Sequence, residues 1–343
     1  MNRVAALALL FLAVAVSTTG CSTSKAEADN EAFSQELLNV SYDPTRELWR
    51  ELNGAFIPAY EKQSGVSLDI KQSHAGSSSQ ARSVIDGLEA DVVTLAMWTD
   101  TNAIAKAGLI APDWATRLPN GSLPYFSTIV FVVRKGNPKQ IKDWSDLVRD
   151  GVEVITPTPK TSGNGKLSFL GAWGSVVVPG GSEEDAHAFV KKLYEHVPVL
   201  DSGARGATVT FAQKGIGDVH LTWENEAHFE VKEAKGELEI VYPSLSIKAE
   251  PRVALVDSNV DRHKTRAAAE AYLRFLYTPE AQAIIAKNYY RPTNPEALRE
   301  HSRQFGDVKL FTIQEIAGDW EQSDAKFFDD GKVFDQIYSK SAN

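Results

Sequence analysis

Small and hydroxyl-bearing residues cluster at three points of the sequence where helices are expected to begin. The clusters are residues 76–80 (GSSSQ), 161–165 (TSGNG) and 201–206 (DSGARG). The start of a helix exposes backbone N–H groups without partners and carries the positive end of the helix dipole. Small residues let an anion approach that backbone closely. Each cluster therefore has the chemistry to bind an oxyanion.

Helix capping is the alternative explanation for each cluster taken alone. Ser77 and Gln80 have the spacing of a capping box, in which two side chains satisfy the first helical N–H groups. Three such clusters in one chain favour ligand binding, because loops that follow parallel strands converge on a shared crevice. Together the clusters predict an anion site.

Two further residues are candidates for this site. Trp223 follows a predicted strand, and its indole N–H can donate a hydrogen bond to an anion, although a place in the core is the alternative. Asp43 precedes Pro44 at another expected helix start, where Asp is typical of the N-cap and Pro of the first helical position. Asp43 is therefore expected to cap that helix, with a place at the edge of the site as the alternative.

The sequence has no pattern typical of an enzyme or a metal site. The Gly165-Lys166 pair does not belong to a phosphate-binding P-loop, because Leu167 and Lys160 occupy positions that need Ser or Thr and Gly. No Gly-x-Ser-x-Gly elbow is present, and the seven histidines lack metal-ligand spacing. We therefore expect no catalysis, no cofactor and no metal.

Strand-like and helix-like segments alternate from Leu37 onward, which is typical of α/β proteins with mostly parallel sheets. The predicted helices include Glu47–Tyr60 and Gln80–Glu89. The predicted strands are Leu37–Val40, Val66–Ile70, Asp91–Leu95, Ile129–Val133, Val152–Ile155, Asp218–Leu221, Leu238–Val241 and Val253–Val256.

The length of 343 residues suits two lobes of ordinary size. Segments 124–133 and 249–256 are strand-like and contain or adjoin a proline, so we expect the chain to cross between lobes there. Predicted lobe 1 comprises residues 37–125 plus 257–343, and predicted lobe 2 comprises residues 126–256. Two lobes joined by two hinge crossings can close over a ligand.

The first 21 residues have the pattern of an export signal, with Arg3 before an apolar run and small residues before Cys21. Cys21 is the one cysteine of the chain, and its position is typical of a lipid attachment site. Residues 22–36 are then expected to form a flexible tether, whereas ordinary cleavage nearby is the alternative. The net charge of −9 argues against nucleic-acid binding.

Several long stretches resemble one known family. They are residues 38–48 (LNVSYDPTREL), 86–95 (DGLEADVVTL), 127–144, 157–174, 201–227, 271–281 and 288–292 (NYYRP). These stretches resemble the periplasmic sulfate-binding proteins of ABC importers, which have the type II periplasmic-binding-protein fold. The resemblance covers nearly the whole chain after the export signal, and it implies a two-lobed α/β fold of this type.

The resemblance implies that sulfate is held by uncharged donors: backbone N–H groups at helix starts, serine hydroxyls and one indole N–H. The positions that match the ligand-binding residues are Ser77, Ser162, Gly163, Asn164, Ala204 and Trp223. Asn164 stands where relatives often have glycine, and Lys166 stands where arginine is common. Lys166 is expected to lie with Asp43 behind the ligand-binding residues.

The function implied by the resemblance is capture of sulfate outside the cytoplasm and its delivery to the membrane permease of an ABC importer. The protein is expected to be a periplasmic or cell-surface monomer that contacts the membrane by its lipid anchor only. Thiosulfate, or another tetrahedral oxyanion such as molybdate, is the nearest alternative ligand. An exported hydrolase of phosphate or sulfate esters is the alternative from a different class, and the sequence leaves a role as an adhesin open.

Overall fold

The computed structural model describes residues 34–339. The export signal, Cys21 and residues 22–33 of the expected tether lie outside the described residues. The first strand begins at Ser34, so the last three residues of the expected tether belong to the folded part of the chain.

Eleven strands and fifteen α-helices make up the described chain. The strands are β1 (Ser34–Tyr42), β2 (Ser67–Ala75), β3 (Val92–Thr94), β4 (Tyr125–Arg134), β5 (Val154–Ile155), β6 (Val219–Trp223), β7 (Leu238–Val241), β8 (Leu245–Ala249), β9 (Val253–Leu255), β10 (Arg291–Pro292) and β11 (Lys309–Phe311). The helices are α1 (Arg46–Ser64), α2 (Ser77–Ile85), α3 (Trp98–Lys106), α4 (Pro119–Ser122), α5 (Gly163–Val177), α6 (Glu183–Glu195), α7 (Ala204–Thr208), α8 (Glu224–Glu233), α9 (Asp257–His263), α10 (Arg266–Phe275), α11 (Pro279–Lys287), α12 (Pro295–Glu300), α13 (Gln314–Ala317), α14 (Trp320–Ser323) and α15 (Val333–Ser339).

The first sheet has the strand order β2-β1-β3-β9 and forms the centre of lobe 1. Strands β2, β1 and β3 run parallel, and β9 is antiparallel to β3. Leu37 of β1 is fully buried against α1, α10 and α11, where Trp49, Tyr272 and Ile285 lie in the same apolar core. The alternation of strands and helices that the sequence predicts is therefore confirmed in this lobe.

The second sheet forms the centre of lobe 2 and has the order β11-β8-β4-β6-β5, with β7 and β10 also paired to β4. The long central strand β4 runs antiparallel to β6, β7, β8 and β10. The expectation of mostly parallel sheets is wrong for this lobe. The physical reason is that β4 enters lobe 2 directly from lobe 1, so its direction is not set by a strand–helix–strand crossover.

The chain passes between the two sheets at the two predicted segments, into β4 and from β8 to β9. A third passage, which the sequence did not predict, follows α11: β10 pairs with β4, and the chain continues to β11 in lobe 2. Phe311, Phe327 and Phe334 then lie in the same core as Phe169 and Trp173 of α5. The described residues after 308 therefore pack with lobe 2 and not, as expected, with lobe 1, because Phe311, Phe327 and Phe334 complete the core of lobe 2.

Among residues 34–339, no helix is both long enough and apolar enough to cross a lipid bilayer.

The packing of the C-terminal segment on α5 depends on a glycine. A Cβ atom added to Gly174 would lie 2.1 Å from Cζ of Phe311. We expect Gly174→Ala to reduce the free energy of unfolding by about 1–3 kcal/mol, because overpacking displaces the ring. Urea denaturation followed by circular dichroism measures this difference.

Gly54→Ala is the matched control, because Gly54 also lies in a helix but a Cβ there has no neighbour within 4 Å. This control should stabilise the protein by about 0.5–1 kcal/mol through helix propensity. Equal effects of the two substitutions would show that Phe311 does not pack on α5 as described.

Candidate functional site

Three helix starts meet where the two lobes touch. Helices α2, α5 and α7 begin next to Gly76, Ser162 and Gly203 respectively. A Cβ on Gly76 would lie 2.3 Å from the carbonyl oxygen of Thr161, and a Cβ on Gly203 would lie 2.5 Å from Oδ2 of Asp43. The three sequence clusters are therefore adjacent in space, and glycine permits this close approach of backbones from different lobes.

Ser162 is the N-cap of α5, and its Oγ accepts a hydrogen bond from the N–H of Gly165 at 3.4 Å. Residues 162–166 are all buried. The oxygen of Ser162 caps the helix as an acceptor, so its hydroxyl proton is left for donation to a ligand. The first N–H groups of α5, from Gly163 and Asn164, lie in the turn where a helix has no internal acceptors.

Ser77 is the first residue of α2, and its hydroxyl is already engaged. Its Oγ donates to Oδ2 of Asp100 at 2.5 Å and accepts from the N–H of Ala96 at 3.0 Å. Because a hydroxyl has one proton, Ser77 can offer a ligand its backbone N–H but not its side chain in this arrangement. The predicted capping box is wrong: the side-chain amide of Gln80 donates to the carbonyl of Ser41 instead.

Trp223 ends β6 and is the N-cap of α8. Its side chain is fully buried, its ring centroid lies 5.1 Å from that of Tyr42, and its indole Nε1 has no hydrogen-bond partner among the described residues. A buried N–H without an acceptor costs free energy. Trp223 ends the strand to which the start of α5 is tied, and its ring lies against Tyr42 of lobe 1, so its indole N–H is the clearest candidate donor.

Asn164 and Ala204 occupy the second and first helical positions of α5 and α7. Both are buried, so their backbones lie inside the junction of the lobes. The side-chain amide of Asn164 donates to the carbonyl of Leu221 at 3.0 Å, which ties the start of α5 to the strand that ends at Trp223. The amide therefore gives this asparagine a structural role that glycine cannot have.

Lys166 and Asp43 form ion pairs with different residues at the junction of the lobes. The ammonium of Lys166 is 2.9 Å from Oδ2 of Asp324 and 4.0 Å from Oδ1 of Asp100, whereas Asp43 pairs with Arg46 at 3.0 Å. Burial opposes the charge of Lys166, but Asp100 and Asp324 outweigh that effect and raise the pKa of its ammonium. The expectation that Lys166 lies with Asp43 is therefore not met by these pairings.

The local structure at Asp43 also differs from the expectation. Tyr42 is the residue before a single 3-10 turn, Asp43–Thr45, that leads into α1. Asp43 is thus inside that turn and does not cap it, while its Oδ2 faces the start of α7 at Gly203.

Two residues that the sequence did not single out connect the lobes at this junction. Asp100 of α3 accepts a hydrogen bond from Ser77 in its own lobe and lies 4.0 Å from the ammonium of Lys166 in lobe 2. Burial raises the pKa of its carboxyl against the opposing charge of Lys166. Arg205 of α7 lies 2.7 Å from Oε2 of Glu47 in lobe 1 and 3.1 Å from Oε2 of Glu226 in lobe 2. Charged residues are common on surfaces, so no spacing in the sequence distinguishes these pairs.

Glu226 is buried in the first turn of α8, where it pairs with Arg205. Burial raises the pKa of its carboxyl to about 8, although the guanidinium of Arg205 acts in the opposite direction. The junction therefore combines helix starts and the unpaired indole N–H of Trp223 with ion pairs. Such an arrangement can hold an anion by hydrogen bonds and requires no chemical step.

A two-lobed α/β fold whose lobes meet at convergent helix starts with unpaired donors defines a solute-binding protein of the type II periplasmic class. Residues 50–291 match the family described as bacterial extracellular solute-binding protein, and the chain belongs to this family.

Several relatives of this chain are named for the anion that they bind. The chain is 53% identical over 308 residues to a thiosulfate-binding protein of Pseudomonas aeruginosa, with 89% of this chain and 93% of the relative covered. It is also 53% identical over 304 residues to the sulfate-binding protein of Escherichia coli, with 88% of this chain and 92% of the relative covered. The solved sulfate-binding protein SubI of Mycobacterium tuberculosis matches with a TM-score of 0.78 and 34% identity, covering 86% of this chain and 100% of that chain.

The contact of Gly163 with lobe 1 provides a test of how closely the lobes must meet. A Cβ on Gly163 would lie 2.5 Å from Cβ of Ala96. We expect Gly163→Ala to keep the lobes apart and to weaken oxyanion binding about tenfold or more, since overpacking of this kind costs about 1–3 kcal/mol. Small-angle X-ray scattering with saturating ligand should give a larger radius of gyration than for the parent protein.

Gly54→Ala again serves as the control, because it adds the same methyl group away from any neighbour. A parent-like radius of gyration and affinity for Gly163→Ala would mean that close approach at this glycine is unimportant.

Proposed function

We propose that this protein captures sulfate, or the closely similar thiosulfate, outside the cytoplasm and delivers it to the membrane permease of an ABC importer. The ligand lies between the lobes and is held by Ser77, Gly163, Asn164 and Ala204 through backbone N–H groups. Ser162 contributes its hydroxyl and Trp223 its indole N–H.

The observation that carries this proposal is the buried, unpaired Nε1 of Trp223, whose ring packs on Tyr42 of lobe 1 and whose strand binds the start of α5 through Leu221. Backbone N–H groups and helix dipoles favour anions, and several of them together can replace the water around a dianion. The net charge of −9 gives the protein as a whole no attraction for anions, so the local donors must provide the binding energy.

Selectivity against phosphate follows from the same donors. Phosphate near neutral pH keeps at least one proton, and that proton needs a hydrogen-bond acceptor. A site that offers only N–H and O–H donors leaves it unpaired, which costs about 1–3 kcal/mol or more. Sulfate and thiosulfate have no proton near neutral pH, and both fit this requirement.

The names of the relatives support both ligands equally, since one relative with 53% identity is named for thiosulfate and another for sulfate. Closure of the lobes over the ligand produces a form that a permease can recognise, and delivery follows from this recognition. The chain performs this role as a monomer, with both lobes supplied by one polypeptide.

We propose that the mature protein is attached to the membrane by a lipid on Cys21, which follows the export signal directly. Mass spectrometry of the mature N-terminus should find a diacylglyceryl-modified cysteine as the first residue. An unmodified N-terminus beyond residue 21 would instead mean that the protein is released in soluble form.

Calorimetric titration with sulfate, thiosulfate, phosphate and molybdate tests the ligand. We expect binding of sulfate and thiosulfate and little binding of phosphate. Trp223→Phe keeps an aromatic ring but removes the indole N–H, and Ser162→Ala removes the hydroxyl. Each should weaken binding about 10- to 100-fold, because each deletes a hydrogen bond to a charged ligand.

Trp144→Phe is the matched control in lobe 2, because the indole of Trp144 is also buried but donates to the carbonyl of Leu245. This variant should bind with parent affinity. The site assignment fails if Trp223→Phe and Ser162→Ala both bind as the parent does, and the proposed function fails if the parent binds neither sulfate nor thiosulfate.

A further inference from the structure

The third passage between the lobes contains Arg291, which is connected to the anion site through one other residue. Arg291 lies on β10, which pairs with Phe126 and Tyr125 at the start of β4. Its guanidinium forms two hydrogen bonds with one carboxylate: Nε lies 2.7 Å from Oε2 of Glu224, and a terminal nitrogen lies 2.8 Å from Oε1. The guanidinium also donates to the carbonyl of Gly306 at 3.0 Å.

Glu224 is the residue directly after Trp223 and the first residue of α8. Its side chain is 0% exposed, and that of Arg291 is 13% exposed. A buried carboxylate needs a partner with good geometry, and the planar guanidinium fork supplies it. Because Glu224 and Trp223 share a peptide bond, fixing Glu224 restricts the backbone that carries the indole.

A second contact holds α8 one turn further along. The ring of His228 stacks on that of Tyr289 at a centroid distance of 4.2 Å and an angle of 8°. Tyr289 has a φ of 61°, in the left-handed region that a large side chain seldom adopts. The surrounding packing therefore maintains a strained backbone two residues before Arg291. In this backbone conformation the ring of Tyr289 lies against α8.

Tyr290 lies between these two contacts and reaches lobe 1. Its hydroxyl donates to the carbonyl of Pro44 at 2.9 Å, and the side-chain amide of Asn225 donates to the same oxygen at 3.2 Å. The carbonyl that follows Asp43 is therefore held jointly by the third passage and by the first turn of α8. Residues 289–291 thus connect the start of α8 with both lobes.

We propose that Arg291 is a positioning residue for the anion site, which acts through Glu224 to hold the first turn of α8 and the indole N–H of Trp223 in the donating position. This inference rests on the proposed function in that it assigns Trp223 to the ligand. It adds a residue that touches no ligand. That residue connects the orientation of the indole N–H of Trp223 to the third passage between the lobes.

The test uses three variants of the full chain with sulfate as the probe. Arg291→Gln removes the charge and the fork, Glu224→Gln removes the carboxylate, and Arg291→Lys keeps the charge without the planar geometry. We expect Arg291→Gln and Glu224→Gln each to weaken binding about tenfold, and Arg291→Lys to fall between Arg291→Gln and the parent. If Arg291→Gln does not fold, the other two variants still decide the comparison.

A double-substitution experiment separates positioning from a general structural effect. In the Trp223→Phe background the indole N–H is gone, so Arg291→Gln should produce little further loss of affinity. Arg266→Gln is the control, because Arg266 pairs with Asp257 and Asp261 in lobe 1 and its loss should leave affinity unchanged. Parent affinity for Arg291→Gln, or the same loss with and without Trp223, would overturn the proposal.

A measurement without ligand tests this proposal independently of the proposed function. The chain has seven tryptophans, and 5-fluorotryptophan labelling gives each its own ¹⁹F resonance, with that of residue 223 identified by its loss in Trp223→Phe. In Arg291→Gln this resonance should shift or broaden more than the other six. An unmoved resonance refutes positioning even if sulfate binds, whereas a moved resonance with no oxyanion binding by the parent refutes only the ligand.

Discussion

The two lobes meet at helix starts, where the first backbone N–H groups have no acceptor within their own helix and the residues that carry them are buried. Helices α2, α5 and α7 begin at the junction of two lobes, where water has little access and where the indole of Trp223 also lacks a partner. Burying such groups without an acceptor is unfavourable. The glycine contacts and ion pairs around them are therefore best explained as the enclosure of an anion, which supplies the missing acceptors.

Much of the fold could be predicted because its elements follow local rules. The strand Leu238–Val241 coincides with its prediction, and helix α1 extends the predicted Glu47–Tyr60 by one residue at its start and four at its end. The mixed sheet of lobe 2 could not be predicted, because the direction of β4 depends on pairings distant in sequence. The two-residue strand β10 carries no periodicity at all.

Some residues of the candidate site could likewise be predicted from the sequence, and others could not. Helix starts have a local signature, so the sequence marked the clusters around Ser77, Ser162 and Ala204, and the structure brings them together. The residues that hold these clusters are pairs such as Asp100 with Ser77 and Arg291 with Glu224, separated by 23 and 67 positions. Such contacts of charged side chains have no sequence pattern, because any Asp, Glu, Lys or Arg has the same chemistry until the fold brings it beside a partner.

The return of the chain end to lobe 2 constrains the order in which the molecule can assemble. Phe311, Phe327 and Phe334 complete a core that also contains Ile129 and Phe131 of β4, and 182 positions separate Ile129 from Phe311. Closing so long a loop is slow, and contacts of this type form late in folding. A chain still emerging from its point of synthesis or translocation cannot finish lobe 2 until residues 311–334 arrive, so any early ligand affinity would be that of an incomplete molecule.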